Sequence, residues 1–266
     1  VQGPGGTSTK TREWQLSIPN VFHFVFGLKP DFGNKPFGLV HYLAIKSAVM
    51  VNKPDKVYLW YKYKPSGIWW DRASQFFEAA PIDDYAEYAG VPRDHHAHRT
   101  DLARLTVLLT LGGIYLDADV ICVRPFTDLL HHKCVMGWED QGQQHLCNAV
   151  ILAEKHAKFI QLQLDSQKDF RPGMWGQICI TRAGELAKEN PDLVHTPDLM
   201  AFHWPTHSPA GIEYMHDGEG AEFPEAYCHH LWEQIAWPRL RDLTPEYILS
   251  SQTNFCRIVR PFIESF

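Results

Sequence analysis

The decisive stretch of this sequence is residues 112–119, Gly-Gly-Ile-Tyr-Leu-Asp-Ala-Asp. Its apolar residues predict a short buried strand, and two carboxylates, Asp117 and Asp119, follow where this strand ends. Because side chains two residues apart in an extended chain point the same way, both carboxylates can face one spot. Two carboxylates that leave water together repel each other, and a hard divalent cation with oxygen ligands compensates them. The stretch therefore predicts a metal site, and the alternative interpretation is a polar turn between two strands.

A metal ion at the end of a strand suits chemistry on diphosphates, because the ion neutralises the charge of a departing diphosphate. The helix predicted over 92–111 supplies further polar groups, since Asp101 and Arg104 are three residues apart and share one helical face. This helix runs directly into Gly112-Gly113, so we expect its polar face to line the same cleft. A simple surface ion pair is the alternative for these two residues.

The pattern of apolar residues outside this stretch predicts an α/β fold. We expect strands over residues 18–27, 56–61, 114–116, 120–123, 135–138 and 147–152. We expect helices over residues 38–51, 68–80, 92–111, 155–166, 178–188 and 244–263, and long loops over 191–226. Strands that alternate with helices indicate a parallel sheet with crossover helices. We expect one domain over residues 18–266, preceded by a polar, Gly-rich stretch at 1–17 that is a flexible leader or an expression remnant.

Composition excludes several classes of protein. The 266 residues include 31 acidic and 25 basic side chains, a net charge of −6. This negative net charge provides no overall electrostatic attraction to nucleic acid. No run of 18 apolar residues predicts a membrane span, so membrane association would need a segment outside this chain. The six cysteines are scattered without a CxxC pair, which favours core thiols over a zinc ribbon and leaves disulfides open.

The spacing from Arg99 to Asp119, R-x-D-x-x-R followed by G-G-I-Y-x-D-x-D, resembles the core signature of glycosyltransferase family 32. That family includes fungal α-1,6-mannosyltransferases and vertebrate α-1,4-galactosyltransferases, and the clostridial glucosylating toxins share the spacing. Weaker resemblance covers residues 18–240 and includes the His-x-Trp element at His230. The chain departs from the family pattern at Phe26, where a Trp is usual, and at Gln177, where a Pro is usual.

The resemblance implies a GT-A fold, in which helices flank a Rossmann-like, mostly parallel sheet. It also implies retaining transfer of a hexose from a nucleoside-diphosphate sugar, UDP favoured over GDP, to a hydroxyl of a glycan, glycolipid or glycoprotein. The implied cofactor is a divalent metal, Mn²⁺ or Mg²⁺, with Asp117, Asp119 and His230 as ligands. The implied catalytic residues are Asp101, Arg104 and Asp117. The implied donor-binding residues are His23, Phe26, Arg104, Tyr115, Asp117, Gly176 and Gln177.

Two other functions fit parts of the sequence. Residues 116–121, Leu-Asp-Ala-Asp-Val-Ile, also resemble the signature of haloacid-dehalogenase phosphatases, but the closing acidic pair of that class is not found after Asp119. A non-catalytic carbohydrate-binding protein of the same fold is the second alternative, although it has no physical need for an intact charged cleft.

Some histidines and tryptophans also allow two interpretations. His95-His96-x-His98 could hold zinc or simply begin a helix, and three Trp residues could stack on sugars or pack in the core: Trp175, Trp204 and Trp232.

Overall fold

The computed structural model describes residues 16–263, so most of the stretch predicted as a leader, residues 1–15, lies outside the described residues. The strands are β1 Val21–Val25, β2 Lys56–Tyr61, β3 Glu78–Pro81, β4 Glu87–Tyr88, β5 Val91–Pro92, β6 Gly113–Leu116, β7 Val120–Cys122, β8 Cys134–Trp138, β9 Leu146–Ala153 and β10 Cys228–His230. The helices are α1 Leu39–Asn52, α2 Ile68–Ala73, α3 His96–Leu111, α4 Lys158–Ser166, α5 Arg182–Glu189, α6 Leu199–Phe202, α7 Pro209–His216, α8 Glu233–Leu240, α9 Pro245–Ser250 and α10 Asn254–Ile263. No helix within the described range is long and apolar enough to cross a membrane.

Six strands form the central sheet in the order β3-β2-β1-β6-β9-β8. The neighbours from β3 to β6 are parallel, whereas β9 runs antiparallel to both β6 and β8. The predicted α/β class with a mostly parallel sheet is therefore confirmed. The predicted strand over 120–123 does not join this sheet, because β7 pairs with β10 as a separate antiparallel pair.

Each face of the sheet carries its own hydrophobic core, which determines where the side chains of β6 point. Ile114 and Leu116 belong to the core that includes α1, whereas Tyr115 belongs to the opposite core that includes Leu105 and Leu108 of α3. This alternation is the ordinary period-two geometry of a strand. Tyr115 therefore faces the helix that carries Asp101 and Arg104.

The connection between α3 and β6 brings the polar groups of both elements to the same level. Gly112 and Gly113 have φ values of +70° and +113°, and a Cβ on Gly113 would lie 2.4 Å from the backbone oxygen of Val21. Only glycine fits this close reversal. From Arg104 to Gly112 the helix rises about 12 Å, and from Gly113 to Asp117 a strand spans about 13 Å. The reversal consequently places Arg104 beside Asp117.

Two sequence-based predictions of secondary structure are wrong. The helix predicted over 68–80 ends at Ala73, and residues 78–81 form the edge strand β3 with Glu78 opposite Tyr58. The Glu-Ala-Ala sequence favours a helix, but pairing with the sheet edge overrides this preference. The predicted loops over 191–226 contain α6 and α7. The Ser208 hydroxyl accepts a hydrogen bond from the Gly211 N–H and Pro209 follows it, a cap pattern that marks a helix start.

Smaller differences concern helices that the sequence predicted as single elements. The helix predicted over 178–188 begins as one π-helical turn over Gln177–Thr181 before α5 continues it. The closing helical segment predicted over 244–263 is divided into α9 and α10. All six cysteines are free, five of them buried, as expected for core thiols.

Candidate active site

A cleft of about 490 Å³ opens at the carboxyl ends of β1 and β6. Its walls include Val25–Lys29 at the end of β1, the N-terminal half of α3, Asp117–Asp119 and a late segment from His230 to Ile235. Ligands of open α/β sheets bind beyond the carboxyl ends of the strands. The position of this cleft makes it the candidate active site.

The two carboxylates after β6 lie on a turn. The Val120 N–H donates a hydrogen bond of 3.0 Å to the backbone oxygen of Asp117, which closes the turn between β6 and β7. The predicted extended backbone is therefore wrong here, and the alternative of a polar turn describes the main chain correctly. The side chains nevertheless converge, because one ligand atom each from Asp117, Asp119 and His230 lie within 4.8 Å of one another.

This group fits a divalent metal ion. Oxygen and nitrogen ligands lie about 2.0–2.6 Å from such ions, so two ligands of one ion are at most about 5 Å apart. The observed separations stay below that limit. Two carboxylates and one imidazole are also suitable for a hard or borderline ion such as Mg²⁺ or Mn²⁺.

Backbone groups of the late segment hold Asp119 in place. The Glu233 N–H donates to Asp119 Oδ2 at 2.7 Å, and the Leu231 N–H donates to the backbone oxygen of Asp119 at 3.1 Å. Trp232 lies between them in a left-handed conformation, with φ +55° and ψ 47°. A Trp in this region is strained, which indicates that the surrounding contacts impose this conformation.

His230 reaches the same carboxylate from β10. Its backbone is paired opposite Val120, the residue that follows Asp119, so β10 places the imidazole beside the turn. Nε2 of His230 lies 3.5 Å from Asp119 Oδ2, and its ring lies 4.0 Å from the ring of Trp232, centre to centre. The resemblance implied His230 as a ligand, and the fold brings it to the two aspartates.

Arg104 links the helix to the first carboxylate. Its Nη2 lies 3.2 Å from Asp117 Oδ1 and 3.5 Å from Asp101 Oδ1, and its guanidinium stacks over the Tyr115 ring at 4.6 Å. Nη1 donates to the backbone oxygen of Asn148, whose side-chain amide donates to Asp101 Oδ1 at 2.8 Å. Arg104 is only 3% exposed, so it is a buried cation between two carboxylates.

The electrostatics follow from this burial. Burial by itself would lower the pKa of Arg104, but Asp117, Tyr115 and Asp101 outweigh it and raise that pKa. Burial and the neighbouring Asp119 raise the pKa of Asp117, while Arg104, His230 and the Tyr115 hydroxyl, which donates to Asp117 Oδ1, act in the opposite direction. Burial also raises the pKa of Tyr115. Arg104 and the Tyr115 hydroxyl thus offset part of the negative charge of Asp117.

Four of the seven expected donor-binding residues line the cleft, namely Phe26, Arg104, Asp117 and Gly176. Tyr115 does not line it, because its side chain is fully buried beneath Asp117 and donates its hydroxyl to Asp117 Oδ1. His23 is fully buried away from the cleft. Its Nε2 bonds to the backbone oxygen of Gly112 at 2.8 Å, and its Nδ1 accepts a hydrogen bond from Trp60. Gln177 is exposed and lies outside the cleft walls, although Gly176 belongs to them.

Of the other histidines and tryptophans proposed from the sequence, some line the cleft and others do not. Trp175 and Trp232 line the cleft, whereas Trp204 does not. Trp175 packs against the imidazoles of His95 and His98 at 4.9 and 5.1 Å. Nδ1 of His95 caps α3 by accepting from the Ala97 N–H, so this histidine begins a helix, as the alternative to a zinc cluster proposed.

Sequence reasoning missed a charged group beside the candidate metal-ligand cluster. The Glu233 carboxylate contacts Nε2 of His41 at 3.0 Å and Nζ of Lys35 at 3.5 Å, and all three residues line the cleft. Lys35 also donates to the Gln234 side chain at 3.0 Å. These residues come from distant parts of the chain, so no spacing pattern in the sequence could reveal the cluster.

Comparison with known proteins identifies the family of this chain. Residues 41–136 match the family model described as the glycosyltransferase sugar-binding region containing a DXD motif. Glucan organizing enzyme 1 of Cryptococcus neoformans var. grubii is 32% identical over 261 residues, which is 93% of this chain and 71% of that protein. The chain belongs to this glycosyltransferase family. The glycosyltransferase family assignment sets aside both the phosphatase and the non-catalytic interpretation.

Solved structures support the fold. The bifunctional glycosyltransferase WbbM has a TM-score of 0.54 at 9% identity, over 95% of this chain and 50% of that one. The galactosyltransferase LgtC, solved with donor and acceptor sugar analogues, has a TM-score of 0.50 at 11% identity, over 92% of this chain and 96% of that one. The predicted GT-A fold is thereby confirmed. Members of the DXD family with this fold generally use a divalent metal, a nucleotide-sugar donor and a glycan acceptor.

Proposed function

We propose that this glycosyltransferase is metal-dependent and moves a hexose from a nucleoside-diphosphate sugar, a UDP-sugar rather than a GDP-sugar, to a hydroxyl of a glycan, glycolipid or glycoprotein, with retention of configuration. The observation that carries the proposal is the convergence of Asp117, Asp119 and His230 on one point of the cleft. The preference for UDP and the retention of configuration rest on the resemblance of residues 99–119 to the family signature.

In this proposal Asp117, Asp119 and His230 hold Mn²⁺ or Mg²⁺. The bound cation would neutralise the charge of the diphosphate leaving group. The chain orients the two carboxylates before substrate arrives, because Glu233 donates its N–H to Asp119 and Tyr115 donates its hydroxyl to Asp117. Ligands that are already oriented need little reorganisation during the reaction.

Arg104 and Asp101 take different roles on the helix side of the cleft. Arg104 is buried and already contacts Asp117, so we assign it to holding Asp117 and compensating the local negative charge. Asp101 accepts through Oδ1 from Asn148, and in the proposal its other oxygen accepts a hydroxyl of the donor sugar. In the proposal Phe26 lines the donor pocket, whereas the buried Tyr115 contributes through its hydrogen bond to Asp117.

Lys35 is a further cation for the diphosphate. Its ammonium lies 3.5 Å from the Glu233 carboxylate at the edge of the cleft, next to the residue whose N–H holds Asp119. A flexible ammonium at that position can contact a phosphate oxygen as a point charge. Lys35→Ala should raise the KM for the donor more than it lowers kcat.

The open side of the cleft suits a glycan acceptor. Trp175 and Ile235 line the cleft and are 58% and 50% exposed, so apolar surface is available for a sugar ring at the entrance. The name of the fungal relative, glucan organizing enzyme, supports a polysaccharide-related acceptor.

The direct test is a screen of sugar nucleotides for hydrolysis that depends on Mn²⁺. We expect one UDP-hexose to be hydrolysed, and Asp119→Ala to abolish the reaction while the fold, followed by circular dichroism, stays intact. Turnover that is equal with and without a divalent metal would refute the metal dependence. NMR of the anomeric proton in the first product checks the configuration, and an inverted product would refute retention.

A further inference from the structure

His230 also belongs to a second cluster of ligand atoms, on the other side of its ring. One ligand atom each from Cys147, His203 and His230 lie within 4.8 Å of one another. Cys147 Sγ lies 4.0 Å from His230 Nδ1, whereas Nε2 of the same ring faces Asp119 at 3.5 Å. The imidazole thus stands between a pair of carboxylates and a thiol.

His203 is the unusual member of this cluster. Its side chain is fully buried, and neither ring nitrogen has a hydrogen-bond partner among residues 16–263. Buried polar atoms without a partner are rare in proteins because they lose water and gain nothing in return. The His203 ring approaches the His230 ring edge-on, with 6.0 Å between the ring centres. One of its unpartnered nitrogens lies within 4.8 Å of the ligand atoms of Cys147 and His230.

We propose that Cys147, His203 and His230 form a site for a thiophilic divalent ion such as Zn²⁺, distinct from the site at the two aspartates. One thiolate and two imidazoles are ligands that Zn²⁺ prefers over Mg²⁺ or Mn²⁺. Tetrahedral Zn²⁺ with bonds of about 2.0–2.3 Å holds its ligand atoms about 3.5 Å apart, so the 4.0 Å between Sγ and Nδ1 needs only a small adjustment.

The two sites compete for His230. A neutral imidazole has one lone pair and one N–H, so it ligates one ion at a time. When Nδ1 binds Zn²⁺, Nε2 carries the proton and faces Asp119 as a donor; the thiol proton of Cys147 leaves to water. Zn²⁺ in the second site therefore removes the third ligand from the aspartate pair. This inhibitory consequence rests on the proposed function, whereas the existence of the site does not.

The site is tested first without any activity measurement. The reduced full chain is titrated with Co²⁺, a spectroscopic substitute for Zn²⁺, and the thiolate-to-cobalt charge-transfer band is followed, with Zn²⁺ added afterwards to displace it. We expect one equivalent of Co²⁺ to give the band in wild type and in Cys179→Ser, a matched control whose thiol lines the same cleft. We expect Cys147→Ser and His203→Asn to lose it, with thermal unfolding measured to show that both remain folded. No band in wild type, or a band that survives in Cys147→Ser, would overturn the site.

A second titration separates this site from the proposed function. Asp119→Asn should keep the cobalt band, because Asp119 is not a ligand of the second site; loss of the band would overturn the proposal of two distinct sites. Transfer at fixed Mn²⁺ should then fall with Zn²⁺ in wild type and Cys179→Ser, with at least a tenfold weaker effect in Cys147→Ser. Equal inhibition of all three would overturn the competition for His230, even if the band is found.

Discussion

The two halves of the candidate metal site are built in different ways. Residues 99–119 bring Asp101, Arg104 and the two aspartates together through one continuous helix, a glycine reversal and a strand. Residues 228–233 deliver His230 and the Glu233 N–H from far along the chain, and they depend on pairing with β7 and on a strained Trp232. The first half is therefore built from contacts that are local in sequence, whereas the second half depends on contacts between distant segments of the chain.

This difference predicts where substitutions act. Substitutions in the first half should remove a metal ligand or the cation that compensates buried negative charge, so they should have large effects on transfer rate or stability. Changes in the second half should alter how firmly Asp119 and His230 are held, with smaller effects.

Asp119→Asn should lower the transfer rate about 1,000-fold, since several kcal/mol of charge stabilisation depend on the metal and each 1.36 kcal/mol is a factor of ten. The amide keeps an oxygen that can accept from the Glu233 N–H, so the fold should be unchanged. Steady-state kinetics with the donor found in the screen provide the measurement. A loss of less than tenfold would mean that this carboxylate is not a ligand that matters for the reaction.

Arg104→Met should lower the free energy of unfolding by about 3–5 kcal/mol, because it leaves the buried Asp101 and the partly buried Asp117 without their cation. Arg239→Met is the matched control, since Arg239 pairs with Asp217 on the surface and such pairs contribute at most about 1 kcal/mol. Urea unfolding measures both variants. Equal losses would show that Arg104 is not the buried charge compensator of the first half.

Acid should lower the free energy of unfolding through His23, the side chain that bonds to the backbone oxygen of Gly112. Burial lowers the pKa of His23 from 6.5 to about 4, so between these pH values His23 is protonated in the unfolded chain and neutral in the folded chain. The stability from this residue is complete above pH 6.5 and is lost as the pH falls towards 4. Between pH 7.5 and 4.5 the loss from His23 is about 2–3 kcal/mol.

His23→Gln should remove that share of the acid sensitivity, whereas the exposed His156→Gln should not. Urea unfolding of wild type and both variants at the two pH values decides the matter. An unchanged pH dependence in His23→Gln would contradict the account of His23 as a buried neutral histidine.

Trp232→Gly should be more stable than Trp232→Ala by about 1 kcal/mol, because the left-handed conformation costs Ala about that much and costs Gly nothing. In ordinary positions the order is reversed, so the sign alone is informative. Urea unfolding of the two variants gives the difference. If the alanine variant is the more stable one, the backbone of the late segment is not held in a strained conformation.

The first half of the site could be predicted from sequence because its geometry is local. The spacing of Asp101 and Arg104 and the glycine pair determine which side chains meet. The backbone conformation at Asp117 could not be predicted from the sequence, because a turn and an extended segment are both compatible with Asp-Ala-Asp between apolar residues.

The second half could not be predicted from the residues alone. His230 was reached only through the family resemblance, and a backbone donor such as the Glu233 N–H leaves no sequence signature. A left-handed Trp232 contradicts residue preference, because Gly or Asn usually occupies that conformation. The caps at Asp198 and Ser208, by contrast, were readable signals of α6 and α7.

In the proposed function both halves of the site bind one divalent cation, which in turn binds the donor diphosphate. Electron paramagnetic resonance of Mn²⁺ titrated into the protein, with and without UDP, measures this binding. We predict that wild type binds one Mn²⁺ more tightly when UDP is present, and that Asp119→Asn and His230→Gln both weaken this binding. Mn²⁺ binding that is the same in wild type and both variants would contradict the account.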